Sequence, residues 1–373
     1  MVLKVGIVGM RGIGETHANA YIKDPLAKLV AVCDLIKERA DAAGTKYGAK
    51  VYYSLKDMLT AHPDLDIVDV TTGGMENGSW HAEPALEAIE AGKNVLVEKP
   101  LSSYITEARE MVAKAEQKNV YLGCNLNHYF TDVAGQAKKL QEDGKIGELV
   151  YCLHKMGFDG GEYTYAYSGG ARVKNFPYFH VKAFLAHPFS IMRYFCGDVT
   201  HVQAFMDRPG FRRSAGDVML SINSIHMRFA NGCMGYLLSQ RGDAKFGLGG
   251  WWSVEVGGTR GTFCIENCVE KLTYWPSPKP GDPATQTLGG KTEPVVTNTG
   301  LTDFGLTFPA RIHAFLEDVT NKVPRESLRA SGRDALATLE YTWAAIESYE
   351  QGGILVRPHP LPPFHGDPYT QNT

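Results

Sequence analysis

The residue best placed to do chemistry in this chain is a lysine that ends an apolar strand and precedes a proline. Glu98-Lys99-Pro100 comes directly after Asn94-Val95-Leu96-Val97. Open α/β sheets bind ligands at the carboxyl edge of their strands, so an ammonium group there can be held in a partly dehydrated crevice, with the proline setting the next turn. A second signal is Gly9-Met10-Arg11-Gly12-Ile13-Gly14, which follows strand Val5–Val8 and opens a helix at Glu15. Small residues at such a point let backbone N–H groups and a helix N-terminus approach a pyrophosphate. The loop departs from G-x-G-x-x-G: Arg11 stands at the second glycine and Gly12 is displaced by one. Arg11 either contacts a phosphate or covers the loop. Asp34 ends the second strand about twenty residues later, where a carboxylate can accept hydrogen bonds from a ribose diol and repel a 2′-phosphate. NAD is therefore expected over NADP, with Lys37 and Arg39 as nearby cations that weaken the preference.

Taking hydride from an alcohol carbon needs a base for the hydroxyl proton and a positive group for the developing alkoxide. Lys99 supplies the positive group. His180 and His187 are candidates on the histidine side, about two helical turns apart, so one helix face can carry both unless Pro188 interrupts it. Neither has acidic or cysteine neighbours at ligand spacing, and no metal is expected. Tyr163, Tyr165, Tyr167, Arg172 and Tyr178 crowd the segment before His180, where aromatic faces either stack on a sugar ring or pack a core.

These groups need elements to position them. The first third alternates apolar strands (Val2–Val8, Leu29–Cys33, Val51–Tyr53, Ile67–Thr71, Val95–Val97, Val120–Cys124) with helical stretches, which predicts an α/β domain with a doubly wound parallel sheet. Ser54 reads as a helix N-cap and Gly92 as a helix stop. After Asn125 longer strands run consecutively: Glu148–Phe158, Val199–Met206, Val218–Phe229, Cys233–Gln240, Trp252–Gly257, Thr262–Ile265 and Lys271–Trp275. Asn231-Gly232 is a hairpin turn between two of them. The expected second domain is α+β with a large, mostly antiparallel open sheet and helices at Asp132–Glu142, around His180–Phe195, from about Pro309 to Asn321, and from Ser331 through Tyr349. We place the boundary so that residues 1–126 form the nucleotide-binding domain and 127–373 the substrate and oligomerisation domain, ending in a proline-rich tail.

The 373 residues carry 38 basic against 41 acidic side chains, for a formal net charge of -3, and no basic run suggests a nucleic-acid groove or a membrane surface. A small-molecule partner is expected. Seven scattered cysteines suit reduced thiols, and a strand beginning at Val2 leaves no room for a signal peptide, so a cytoplasmic protein is the expectation. An open antiparallel sheet commonly buries its free face on another subunit, so a homo-oligomer is expected too.

The Glu-Lys-Pro tract, the glycine loop and the Asp34 strand end together resemble the Gfo/Idh/MocA family of nicotinamide-dependent oxidoreductases. The resemblance implies a Rossmann domain followed by an α+β domain, with Lys99 between the nicotinamide and the substrate hydroxyl. It implies cofactor contacts from Gly9, Arg11, Gly12, Ile13, Gly14, Asp34, Thr71, Thr72, His81, Glu98 and Lys99. His81 matches the histidine of the family's T-P-N-x-x-H segment, where helix capping and cofactor contact are both open. Residues 73–80 read as an insertion there, and Trp80 either roofs the substrate pocket or packs on its own domain. His187-Pro188-Phe189-Ser190 resembles the start of the family's H-x-x-D-x-x-R-W-x-x-G tract, whose histidine faces the lysine across the nicotinamide. Ala183 and Ser190 stand where the family carries aspartates. Asn125 to Thr131 resembles N-x-R-F-x-P, with Asn127 ordering Lys99 or the substrate and Tyr129 replacing an arginine, which leans toward a neutral polyol or sugar. Tyr129, Tyr178 and His180 join the substrate contacts.

The implied activity is reversible, NAD-dependent oxidation of a secondary ring hydroxyl, C3 by the nearest chemical analogy, of a sugar or glycoside. Lys99 polarises the oxygen and His187 is the base, with His180 as the other histidine candidate. An NAD-dependent glycosidase using transient C3 oxidation and a non-enzymatic NAD-binding regulator remain the rival readings.

Overall fold

Each short apolar run of the first third becomes a strand with a helix packed against it. The computed structural model describes residues 2–74, 78–163, 174–247, 249–278, 281 and 292–364. In chain order the first elements are β1 (Leu3–Val8), α1 (Ile13–Tyr21), β2 (Ala27–Cys33), α2 (Lys37–Tyr47), β3 (Lys50–Tyr52), α3 (Leu55–Ala61), β4 (Ile67–Val70), α4 (Ala82–Glu90), β5 (Asn94–Val97), α5 (Ile105–Lys118) and β6 (Leu122–Cys124). Their sheet has the order β3-β2-β1-β4-β5-β6, with all pairs parallel. The order reverses between β1 and β4, which opens a crevice at their carboxyl ends. Ser54 caps α3 by accepting from the Asp57 amide at 3.2 Å, and Gly92 takes φ 72° just past α4.

The next elements are α6 (Asp132–Glu142), β7 (Leu149–Phe158), α7 (Phe179–Phe184), α8 (Ala186–Cys196), β8 (Val199–Asp207), α9 (Gly210–Ser214), β9 (Ile222–Phe229), β10 (Met234–Arg241), β11 (Trp252–Gly258), β12 (Gly261–Glu266), β13 (Lys271–Pro276), β14 (Val295–Asn298), α10 (Thr307–Thr320) and α11 (Gly332–Glu350). The eight-stranded sheet runs β14-β13-β12-β11-β7-β10-β9-β8 and is antiparallel except where β7 pairs with β10. β14 has no sequence signal, because its four residues follow a proline- and glycine-rich stretch without alternation. No single helix spans the two histidines: His180 lies on α7 and His187 on α8, with the break at Leu185, three residues before Pro188. Pro188 lies in the first turn of α8, where its missing N–H removes no hydrogen bond from that helix but leaves none to join it to the Phe184 carbonyl of α7.

The chain divides into two compact units, though not at one point. The first takes the residues up to Asn127 together with Phe308–Glu340 and the segment from Pro360; the second takes His128–Thr307 and Tyr341–His359. This differs from the single boundary after residue 126. The reason is packing: Ile312, Phe315, Leu316 and Val319 of α10 share one core with Leu3, Val5, Ile7 and Leu96 of the parallel sheet. The buried Arg311 supports that return by donating to the carbonyls of Cys124 at 3.0 Å and Ala330 at 3.1 Å. Among the described residues no helix is long and apolar enough to cross a membrane.

The glycine loop is set by close approach. A Cβ on Gly14 would lie 1.9 Å from the Gly9 carbonyl oxygen, and Gly9 itself has φ 97° with its Cβ position 2.7 Å from the Thr72 amide. Gly12, by contrast, has φ 45° with open space where its Cβ would be. Gly14→Ala should therefore destabilise the protein by about 1–3 kcal/mol. Gly12→Ala should cost only backbone strain of about 1 kcal/mol. Urea unfolding midpoints of the two variants should fall in that order, and equal midpoints would contradict the close-approach argument.

Candidate active site

The loop after β1 presents a helix start with spare donors. The amides of Gly14 and Thr16 bond the Arg11 and Gly12 carbonyls, while those of Gly12 and Ile13 have no backbone acceptor among the described residues. That arrangement, with open space over Gly12, fits a pyrophosphate. Arg11 and Ile13 are exposed beside it. The buried Asp34 carboxylate accepts from the amides of Met10 and Ile36, each at 2.8 Å, which fixes it at the carboxyl end of β2 beside the loop. Thr71 Oγ1 donates to the Gly9 carbonyl at 2.7 Å and ties the end of β4 to the loop.

Behind Lys99 lies a buried ionic cluster. His17, on the inner face of α1, has Nδ1 at 2.7 Å from Asp69 Oδ2 and Nε2 at 3.0 Å from Glu98 Oε1. Asn125 Nδ2 also donates to Glu98 Oε1, and the Lys99 amide donates to Glu98 Oε2 at 3.1 Å. Burial alone would push the His17 imidazolium down, but Asp69 and then Glu98 outweigh it and raise its pKa to about 10. Burial likewise opposes ionisation of Glu98, and His17, Lys99 and Asn125 outweigh that, holding its carboxyl below the usual range. Glu98 is thus anchored as an anion and bonds the main chain of the half-buried Lys99, whose peptide bond to Pro100 is cis.

His81 stands at the start of α4 without a side-chain capping bond. Its Nδ1 lies 2.7 Å from the Pro100 carbonyl and its Nε2 2.6 Å from the Thr72 carbonyl. Burial holds its charged form down against the pull of those carbonyls, and the neutral ring donates to one of them at a time, between the segment after β4 and the turn after Lys99. Thr72 Oγ1 donates to the Trp80 carbonyl at 2.7 Å, while the Trp80 ring is 63% exposed. Asn127 is fully buried at the end of this unit.

In the second unit, helices α7 and α8 lie on one face of the large sheet. The buried His187 ring stacks on His128 with centroids 3.7 Å apart and planes at 2°, and His128 Nδ1 accepts from the buried Trp252 indole N–H at 3.0 Å. His180 Nε2 lies 2.8 Å from Ser239 Oγ. Burial, then Arg241 and Arg212, hold its imidazolium well below the ordinary range, so His180 is a neutral ring. Tyr129 stacks between Phe130 and Tyr194, at 4.9 and 4.7 Å. Tyr178 donates its hydroxyl to Glu350 at 2.7 Å, and Tyr163 is 93% exposed. Tyr165, Tyr167 and Arg172 lie outside the described residues.

Residues 3–126 match the family model described as the oxidoreductase family with an NAD-binding Rossmann fold, and residues 135–264 match the model of the GFO/IDH/MocA C-terminal domain. The chain belongs to the GFO/IDH/MocA oxidoreductase family. Two curated relatives are similar over part of their length. The levoglucosan dehydrogenase of Pseudarthrobacter phenanthrenivorans is 31% identical over 156 residues, 40% of this chain and 39% of that protein. The inositol 2-dehydrogenase of Salmonella typhimurium is 34% identical over 163 residues, 41% of this chain and 46% of that protein. The matched region thus spans less than half the length of either relative. Among solved structures, levoglucosan dehydrogenase in complex with NADH and levoglucosan superposes with a TM-score of 0.78 at 21% identity, covering 96% of this chain and 100% of that one. An oxidoreductase from Agrobacterium radiobacter in complex with NAD+ gives 0.76 at 18% identity over 96% and 98%. At these identities the structures show the family fold.

Sequence reasoning passed over His17 and Asp69. Two signals were available: a charged residue inside the apolar strand Ile67-Val68-Asp69-Val70, and a histidine on the buried stripe Gly14, His17, Ala18, Tyr21 of α1. A buried charge demands a partner. Because the folded pKa of His17 lies above its unfolded value of 6.5, its contribution to stability is complete below about pH 6.5 and is lost as pH rises toward 10. His17→Phe should cost about 3–5 kcal/mol near neutrality, since it takes from two buried carboxylates the cation they share. Unfolding titrations from pH 6 to 10 should show the gap between wild type and variant closing with pH; a constant gap would mean that His17 is not charged in the fold.

Proposed function

We propose that this protein is an NAD-dependent dehydrogenase that oxidises, reversibly, a secondary ring hydroxyl of a sugar or polyol. The observation that carries the reading is Lys99, presented at the carboxyl end of β5 with its preceding carboxylate locked by His17 and Asn125, in a chain of this family. Family relatives named for dehydrogenation of levoglucosan and inositol support the substrate class. C3 is the favoured position, in keeping with a glucose-6-phosphate 3-dehydrogenase of Bacillus subtilis that is 27% identical over 147 residues.

The glycine loop and helix α1 would hold the pyrophosphate and Asp34 the adenosine ribose. Bound NAD supplies the hydride acceptor. Lys99 donates to the reacting oxygen and stabilises its developing negative charge, while His187 takes the hydroxyl proton. His180 is the weaker proton acceptor, because burial and two arginines oppose its charged form. A second copy of the chain belongs to the same reading, covering the open face of the large sheet, where Leu153, Phe205 and Met234 are exposed together.

Incubation with NAD and sugars deuterated at C3 should place deuterium on the nicotinamide and leave a keto product. Glycoside cleavage without net NADH would favour the glycosidase, and binding without transfer the regulator. Lys99→Ala should abolish turnover with cofactor still bound. His187→Ala should slow turnover by about 10²–10⁴-fold. Such a loss in His180→Ala alone would move the base to His180.

A further inference from the structure

The inner face of the large sheet carries polar groups that its own packing does not satisfy. Asn223 on β9 sits opposite Ser239 on β10, and two residues along the same face Ser221 accepts, through its carbonyl, from the Arg241 amide at 3.0 Å. Both polar atoms of the Asn223 carboxamide, the Ser221 hydroxyl and Nδ1 of His180 lack hydrogen-bond partners, and all three residues are fully buried. A buried polar atom left without a partner is costly, so a cluster of them points to a ligand rich in hydroxyl groups.

Arg241 adds a sign to that ligand. Its guanidinium lies over the rings of Phe158, with the centroid at 5.2 Å, and Phe179, at 4.9 Å, and it has no ion pair among the described residues. The neighbouring carboxylates are taken by Arg212, which bonds Asp217 at 2.9 Å and also Asp243, and donates to the Arg241 carbonyl at 2.6 Å. Asp243 Oδ2 has no hydrogen bond. Burial, and then the charge of Arg212, outweigh the opposing charge of Asp243 and lower the pKa of Arg241 to about 10. A largely buried guanidinium of this kind gains most from a planar oxyanion that it can bind with two parallel hydrogen bonds.

We propose that Arg241, with His180, Asn223 and Ser221, binds an anionic group of the substrate, so that the molecule oxidised is a sugar carrying a carboxylate or a phosphate. The inference rests on the dehydrogenase reading and replaces the neutral sugar suggested by Tyr129: the cation comes from β10 instead of the segment after β6.

The test is calorimetric binding of D-glucuronate, D-glucose 6-phosphate and D-glucose to the NAD-saturated protein, with turnover followed in parallel. The wild type should bind one anionic sugar on the order of 10- to 100-fold more tightly than glucose, the range expected of a charged hydrogen bond. Preference for glucuronate identifies a carboxylate, and preference for the phosphate ester identifies a phosphate. R241Q should erase the ratio and R241K should keep part of it; because each ratio is taken within one variant, loss of folded protein does not mimic the result. Equal wild-type affinity for charged and neutral sugars, no binding of either anionic sugar, or a preference that survives in R241Q overturns the proposal. An Arg241-dependent preference without turnover of any sugar leaves the anion site standing and counts against the dehydrogenase.

Discussion

Much of the first unit depends on one buried imidazolium. Asp69 on β4 and Glu98, directly after the adjacent β5, sit in a core that would otherwise reject both charges, and His17 bonds one with each nitrogen. Removing charge from water is costly unless the partner geometry is good. Here the helix carrying His17 is held against the sheet by the contact of Gly14 with Gly9. The features that suit the loop to a dinucleotide are therefore the same ones that bring His17 to Glu98, and through Glu98 to the main chain of Lys99. Loop, helix and lysine form one mechanical unit.

The second unit holds two lines of buried polar groups. One line of them is satisfied internally, from the Trp252 indole to His128, on which His187 stacks. Another, across β9 and β10, is left with orphaned atoms beside an arginine that lies over two aromatic faces. A core built for stability alone would fill such positions with apolar side chains.

The alternation of strand and helix in the first third reads directly from local patterns, because each element's apolar residues recur at the period of that element. The glycine loop, Asp34 and the Glu-Lys-Pro tract are likewise short motifs whose chemistry lies in contiguous residues. Helix α6 begins at Asp132 and ends at Glu142, as its pattern indicates, and the Asn231-Gly232 turn joins β9 to β10. His180 and His187 fall on helical segments for the same local reason, with Pro188 at a position a helix tolerates.

What the sequence determined by itself is thus the family, the order of elements and the motif residues at strand ends. Tertiary structure alone decided which distant residues meet. The return of α10 to the first core, the His17–Asp69–Glu98 cluster, and the place of Arg241 beside His180 join positions separated by tens to hundreds of residues. No local period encodes such pairings. They follow from the strand order, from which face of each strand is buried, and from the cost of leaving a charge or a polar atom alone in a dry interior.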